Sequence, residues 1–235
     1  MHAPNNIHFL IQISSILNMV RIGELAPNLE VSEWVQGLPT NIDNEKDKVI
    51  LVEVFQVNCP GCFLYGLPHA ISIYNNYADD GVRVLGLATA FEDYDKNTLE
   101  NLKMLAETGA VVGETKATLN QYGKLDDGKL QYKIPFALAM DKLVKSAGVT
   151  QNHIMDLIRA QVPDFESHPA ESQQYMMRQA KEYLQAKQYS AKTFEAYSLR
   201  GTPSTILIDR KGILRDMSFG QNPSLESMVQ KLASE

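Results

Sequence analysis

The sequence predicts an α/β fold: a central mixed β-sheet with helices on both faces, plus a helical insertion. Three observations carry this. Two short runs, Val49 to Phe55 and 82–91, are nearly all apolar and rich in β-branched residues, the pattern of buried parallel strands. Helical patterns come after each of them. Near the C-terminus two further strand patterns flank Arg210-Lys211-Gly212, a hairpin signal, and a helix closes the chain.

Each element has a local signal. Residues 1–21 are expected to be a disordered or weakly helical extension. Its apolar stretch is broken by Gln12 and Ser14-Ser15, no basic segment precedes it, and no small-residue cleavage site comes after it, so it is a poor match to a signal peptide; such a peptide or a membrane anchor is the alternative reading. Met19 is a plausible alternative start, and the expected address is the cytoplasm. The domain runs from 22 to 235. Leu29, Val31 and Trp34 suggest a first short strand, and 37–48 is polar and turn-rich. After the strand Val49 to Phe55, a helix should start at Cys59 and continue to about Tyr77, kinked by Pro68. Asn97-Thr98-Leu99-Glu100 reads as a capping box with Asn97 as the cap. Leu99, Leu102, Leu105 and Ala106 then form one apolar face, ended by Gly109. Leu125 to Leu130 suggests a turn, Leu130, Tyr132 and Ile134 alternate, and 135–140 gives another strand.

From about 142 to 197 the chain changes character. Ile154, Leu157, Ile158 and Val162 make one helical stripe. Met176, Ala180, Tyr183 and Leu184 make a second, entered after Pro169. Ser190 is expected to cap a third helix containing Phe194 and Tyr197. Strands return at 204–209 and 213–219. Asn222-Pro223 then opens a last helix with Leu225, Met228, Val229 and Leu232 on one side.

Composition narrows the function. The chain has 235 residues, of which 44% are hydrophobic and 21% charged, values of a globular protein with a sizeable core. The formal net charge of −6 with no Lys/Arg cluster argues against a nucleic-acid partner. No apolar run is long enough for a membrane span. The only two cysteines are Cys59 and Cys62, and so short a loop does little to stabilise a fold. The pair therefore reads as redox-active or metal-binding.

The sequence Cys59-Pro60-Gly61-Cys62 sits where a strand meets a helix. With Pro60 at the first helical position, Cys59 falls at the N-cap. There its sulfur faces the free N–H groups of the first turn, including those of Gly61 and Cys62, and the helix dipole favours a thiolate. Cys62 lies one turn on, within disulfide reach, and should be more buried. Cys59 is then the attacking sulfur and Cys62 the resolving one. Glu53 is the odd residue in its strand. By alternation it shares a face with Leu51 and Phe55, where a buried carboxyl with a raised pKa would suit a proton acceptor for the resolving thiol. The plainer alternative is a strand-end Glu that finds water or a salt bridge. The five histidines lack ligand spacing, which leaves a metal site without further ligands. Pro203, just before a strand, could be an ordinary strand starter or a cis-proline.

Val-Glu-Val-Phe, three residues, then Cys-Pro-Gly-Cys, and far downstream Gly201-Thr202-Pro203-Ser204-Thr205, together make a pattern that resembles the thioredoxin-like superfamily. The look is that of TlpA-type thiol–disulfide oxidoreductases within the redoxin and AhpC/TSA grouping. Ile22 to Pro27 also looks like the start of a redoxin domain. The resemblance implies a thioredoxin-like fold, Cys59 as nucleophile, Cys62 as resolving thiol and Glu53 as the buried acid. It implies that Pro203 is a cis-proline facing the disulfide. Thr202, Pro203, Pro60 and Gly61 would then form the surface that meets the substrate, with Thr202 offering its backbone to an extended segment. Two positions depart from the pattern. Asn58 stands where the family often has Trp, so a more polar rim is expected, and the central dipeptide is Pro-Gly rather than Gly-Pro.

The expected function is a thiol–disulfide oxidoreductase, acting as a protein disulfide reductase in a reducing compartment. It would need no cofactor. Its partners would be protein disulfides and a thiol electron donor such as a thioredoxin system. A thiol peroxidase or antioxidant redoxin is the first alternative, but Gln56 and Val52 occupy the positions where a peroxiredoxin has Thr or Ser and Pro. A non-catalytic copper-binding module and a plain interaction module are the others. The 142–197 insertion could cap the site and select substrates, with Met176, Met177 and Tyr183 as an adaptable surface, or simply pack onto the fold.

Overall fold

All seven residues from Val49 to Phe55 are buried, and the rest of the sheet is laid on either side of them. The computed structural model describes residues 20–146, 149–162 and 164–235. The expectation for the N-terminal extension therefore falls almost entirely outside the described residues.

The strands are β1 (Val31–Gln36), β2 (Val49–Phe55), β3 (Val82–Ala88), β4 (Leu125–Asp126), β5 (Lys129–Leu130), β6 (Ala137–Asp141), β7 (Leu143–Lys145), β8 (Tyr189–Ala191), β9 (Ser204–Ile208) and β10 (Leu214–Phe219). Six of them form a mixed sheet in the order β1-β6-β3-β2-β9-β10. β2 lies parallel to β3, with Val49 opposite Val82 and Phe55 opposite Ala88, and antiparallel to β9. β6 continues the parallel part, while β1 and β10 form antiparallel edges.

The helices are α1 (Leu67–Tyr77), α2 (Leu99–Thr108), α3 (Gly113–Gln121), α4 (Gln151–Gln161), α5 (Ala170–Ala186), α6 (Lys192–Ala196) and α7 (Leu225–Ser234). Val49, Leu51 and Phe55 face one core, shared with Leu67 and Ile73 of α1, Leu102 of α2 and Val229 of α7. Ile50, Val52 and Val54 face the other, shared with Leu29, Phe194 and Tyr197. Burial of each such side chain contributes roughly 1.5–3 kcal/mol. Coverage on both faces is why β2 shows no polar alternation, and it leaves Glu53 on the α1 side.

Several elements differ from the sequence reading. β3 stops at Ala88, and Thr89 makes a last ladder bond to the Phe55 carbonyl before the chain leaves the sheet. The α2 cap is Thr98, whose hydroxyl accepts from the Asn101 N–H at 3.2 Å. Asn97 is not free to cap, because its Oδ1 accepts from the Asn58 N–H. α3 carries too weak a stripe to be read, since only Thr115 and Leu119 are buried. Tyr132 and Ile134 lie outside any strand, and the turn at Asp127-Gly128 closes the small β4–β5 hairpin with both residues at positive φ.

α4 and α5 form a helical arm with its own small core of Ile154, Leu157, Ile158, Phe165 and Ala180. The antiparallel pair β7–β8 joins its two ends. Met176, Met177 and Tyr183 pack against the arm's own core. Ser190 lies in β8 and does not cap α6. The cap comes from Asp141 at the end of β6. Its Oδ1 accepts from the Thr193 N–H at 2.9 Å, and its Oδ2 from the Phe194 N–H at 3.1 Å and the Thr89 hydroxyl at 2.9 Å. A buried carboxyl thus ties the return from the arm to the sheet. Truncating it in Asp141→Ala orphans two buried N–H groups. The variant should lose about 2–4 kcal/mol in urea unfolding. A loss under about 0.5 kcal/mol would contradict this account of the cap.

Candidate active site

Cys59 stands at the N-cap position, Pro60 and Gly61 are helical, and the Cys62–Gly66 stretch is a π-helical turn that leads into α1. In that turn the Leu67 N–H donates to the Cys62 carbonyl, five residues back. Pro68 explains it. A proline has no N–H and its ring crowds the carbonyl four residues earlier, so the helix widens ahead of it. The kink read from Pro68 thus takes the form of a π-turn. The Phe63 carbonyl has no N–H at residue 68 to bond, and the Tyr132 hydroxyl donates to it at 2.9 Å. Burial raises the Tyr132 phenol, which stays a donor at any physiological pH.

Cys59 and Cys62 are joined in a disulfide, with their Cα atoms 5.4 Å apart. The Cys62 N–H points at Cys59 Sγ, 3.3 Å away. Cys59 is half-buried, whereas Cys62 is fully buried. An incoming sulfur can reach only the first. The Thr202 carbonyl oxygen lies 3.5 Å from Cys59 Sγ, close enough to accept from the thiol when the pair is reduced. The Thr202–Pro203 peptide is cis. Both residues are half-buried, and Pro203 faces Gly61, where an added Cβ would sit 3.7 Å from its Cδ.

Glu53 is 1% exposed, and its Oε1 has no hydrogen-bond partner. Burial pushes its pKa well above the ordinary carboxylate value. The helix can lie on this carboxyl only because residue 66 is glycine. A Cβ there would collide with Glu53 Oε1 and reach Pro203 Cβ at 2.7 Å. Gly66, one turn past Cys62, therefore brings the acid, the helix and Pro203 together. An isolated glycine inside a helical pattern is the signal that could have flagged it.

Other groups hold the approach to Cys59. Asn58, where a more polar rim was expected, turns its side chain to its neighbours. Its Nδ2 donates to Asp93 Oδ2 at 2.8 Å, and its Oδ1 accepts from the Glu114 N–H at 2.7 Å. The Thr115 hydroxyl donates to the Val57 carbonyl at 2.9 Å. Gln56 is buried. Its Oε1 accepts from the Thr202 hydroxyl at 3.3 Å, and its Nε2 donates to the Glu92 carbonyl at 3.4 Å. These long-range ties carry no local sequence pattern.

No protein-family model matches the chain, and no curated protein matches it. Solved structures do. A thiol-disulfide isomerase from Corynebacterium glutamicum is 29% identical, with a TM-score of 0.54, over 91% of this chain and 97% of that one. A protein described as belonging to the thioredoxin-like superfamily is 25% identical, also at TM-score 0.54, over 90% of this chain and 97% of its own.

The raised Glu53 pKa fixes the sign of a pH effect. The folded chain holds a proton that the unfolded chain releases. The stability linked to that proton is complete below the unfolded carboxylate pKa and is lost as pH rises through the folded value. Glu53→Gln, which cannot ionise, should therefore gain stability relative to the native chain as pH rises from about 4. Urea midpoints of the two proteins across pH would show it. Parallel curves would mean that Glu53 is not desolvated.

Proposed function

We propose that this chain, which has the thioredoxin-like fold, is a thiol–disulfide oxidoreductase that reduces disulfides of protein substrates. The observation that carries the reading is the asymmetry of the cysteine pair: a half-buried Cys59 beside a fully buried Cys62, with the buried Glu53 carboxyl, its Oε1 unpartnered, on the strand beneath Gly66. The likeness to a thiol-disulfide isomerase supports it, because isomerisation and reduction share the exchange step.

In the reduced chain the Cys59 thiolate is favoured by the Cys62 N–H and the first helical turn. It attacks one sulfur of the substrate disulfide. A Cys59–substrate S–S bond forms, and the other substrate sulfur leaves as a thiolate that takes a proton from solvent. Cys62 then gives its proton to the Glu53 carboxylate and attacks Cys59 Sγ. The Cys59–Cys62 disulfide forms, and the second substrate sulfur leaves as a thiolate that is protonated in turn. Two electrons pass from the dithiol to the substrate. A thiol donor such as a thioredoxin system restores the dithiol by the reverse exchange. Thr202 offers its backbone to the substrate segment, and Pro60, Gly61 and Pro203 form the small apolar surface around the attacking sulfur. In a reducing compartment such as the cytoplasm the reaction runs toward reduction.

Peroxide chemistry has less behind it: the Gln56 amide, at the position where a peroxiredoxin has Thr or Ser, is engaged by the Thr202 hydroxyl and the Glu92 carbonyl.

Insulin reduction with dithiothreitol as donor tests the proposal. Cys59→Ser should abolish it. Cys62→Ser should stall as a mixed disulfide with substrate, visible on non-reducing gels. Glu53→Gln should slow turnover about tenfold or more at neutral pH. Activity retained by Cys59→Ser would reject the mechanism.

A further inference from the structure

One buried polar group in β9 is used neither by the exchange steps nor by the packing. Thr205 is 7% exposed, and its Oγ1 is sealed from solvent with no hydrogen-bond partner. The residues after it, Ile206, Leu207 and Ile208, are fully buried and apolar. The hydroxyl before it has a structural task, since Ser204 donates to the Gly201 carbonyl at 2.7 Å. On the β10 side Thr205 faces Ser218, whose hydroxyl is taken: it donates to Asp216 Oδ2 and accepts from Asn222 Nδ2 at 2.7 Å. A valine would fill the same space with no polar atom to desolvate.

On the β2 side Thr205 stands directly opposite Glu53. Opposed residues of an antiparallel pair share a face, with Cβ atoms about 4.5–5.5 Å apart. Two buried oxygens without partners, Glu53 Oε1 and Thr205 Oγ1, thus lie on neighbouring strands over one face of the sheet. The acid's other neighbours offer it no donor. Its opposite residue in β3 is Gly86, and the residue over it in the helix is Gly66, with the Pro203 ring beside it. Cys62 is held in the disulfide and carries no proton. Burial alone raises the Glu53 carboxyl, with no charged group contributing.

The proton step needs a donor here. Before Cys62 can give up its proton, Glu53 must stand as a carboxylate in surroundings that disfavour charge. A threonine hydroxyl both donates and accepts, so it can serve either state of the acid. A change of side-chain rotamer, or one water between the two oxygens, completes the hydrogen bond.

We propose that Thr205 is a positioning residue for the proton step: its hydroxyl donates to the Glu53 carboxylate, directly or through one water, and so sets how readily Glu53 takes the proton of Cys62. The inference rests on the oxidoreductase reading and adds a residue to its mechanism.

NMR of the side-chain carboxyl carbons across pH, on the full-length oxidised protein, tests it without any turnover. The Glu53 signal is the one missing from Glu53→Gln. Thr205→Val keeps the shape and removes the donor, so Glu53 should bind its proton about tenfold or more tightly than in the native chain. Thr205→Ser keeps the hydroxyl and should stay within about threefold of native. Identical titration in Thr205→Val and the native chain would overturn the inference. So would an equal change in both variants, or a native Glu53 that never ionises before the fold is lost. In single-turnover insulin reduction, Thr205→Val should slow resolution of the mixed disulfide about tenfold at neutral pH and recover as pH rises. A titration that moves while that rate does not would overturn the role in the proton step. If the native chain reduces no insulin while the titrations behave as expected, the oxidoreductase reading fails and Thr205 stands as the partner of Glu53.

Discussion

A buried carboxyl group with one oxygen left without a hydrogen-bond partner is the constraint on which this candidate site depends. Glu53 sits in the middle of β2, 1% exposed, with Oε1 unsatisfied. Leaving a buried polar group unpaired costs on the order of 1–3 kcal/mol. The fully buried strand around it offsets that cost: Val49, Leu51, Val52, Val54 and Phe55 expose essentially nothing. Burial raises the pKa of an acid in such a place, so its ionised form is a stronger proton acceptor than an exposed carboxylate. The same seal requires the helix to come down on the carboxyl with no Cβ between them, which is the part played by Gly66.

The residues just past the cysteines shape the helix itself. Pro68 removes one N–H, the turn Cys62–Gly66 widens, and the Tyr132 hydroxyl takes up a freed carbonyl from outside the helix. Backbone irregularity thus lies between the dithiol and the regular helix, while the loops around Cys59 are fixed by side chains. Asn58 binds Asp93 and the N-terminus of α3, Asn97 binds the Asn58 N–H, and Gln56 links Thr202 to the Glu92 carbonyl. The chain leading to Cys59 is held from three directions, and Cys62 is buried by the core itself.

Much of this was legible in the sequence where the signal is local. Val49 to Phe55 reads as a strand because burial on both faces leaves no polar alternation. The alternation rule puts Glu53 on the helix side, and Pro60 sets Cys59 at the N-cap. The last hairpin is marked by Lys211-Gly212, with Asp209 Oδ1 accepting from the Lys211 and Ile213 N–H groups. The features that escaped reading are carried by distant partners. Asn97 and Thr98 are equally good caps in isolation, and only the contact with Asn58 assigns the role to Thr98. The cap of α6 comes from Asp141, 52 residues before Thr193. α3 has too few buried residues to show a stripe. The arm reads as helical from its two stripes, but the cleft it makes with the 91–95 loop depends on three-dimensional placement.

The central claim is that one sulfur is outward and activated while the other is inward and waits for a proton acceptor. Alkylation of the reduced protein with iodoacetamide across pH, read for each cysteine by mass spectrometry, tests this most directly. Cys59 should react rapidly, with an apparent pKa below the roughly 8.5 of a free thiol, while Cys62 stays protected until the chain unfolds. Equal reactivity of the two, or a Cys59 pKa at or above that of a free thiol, would contradict the account.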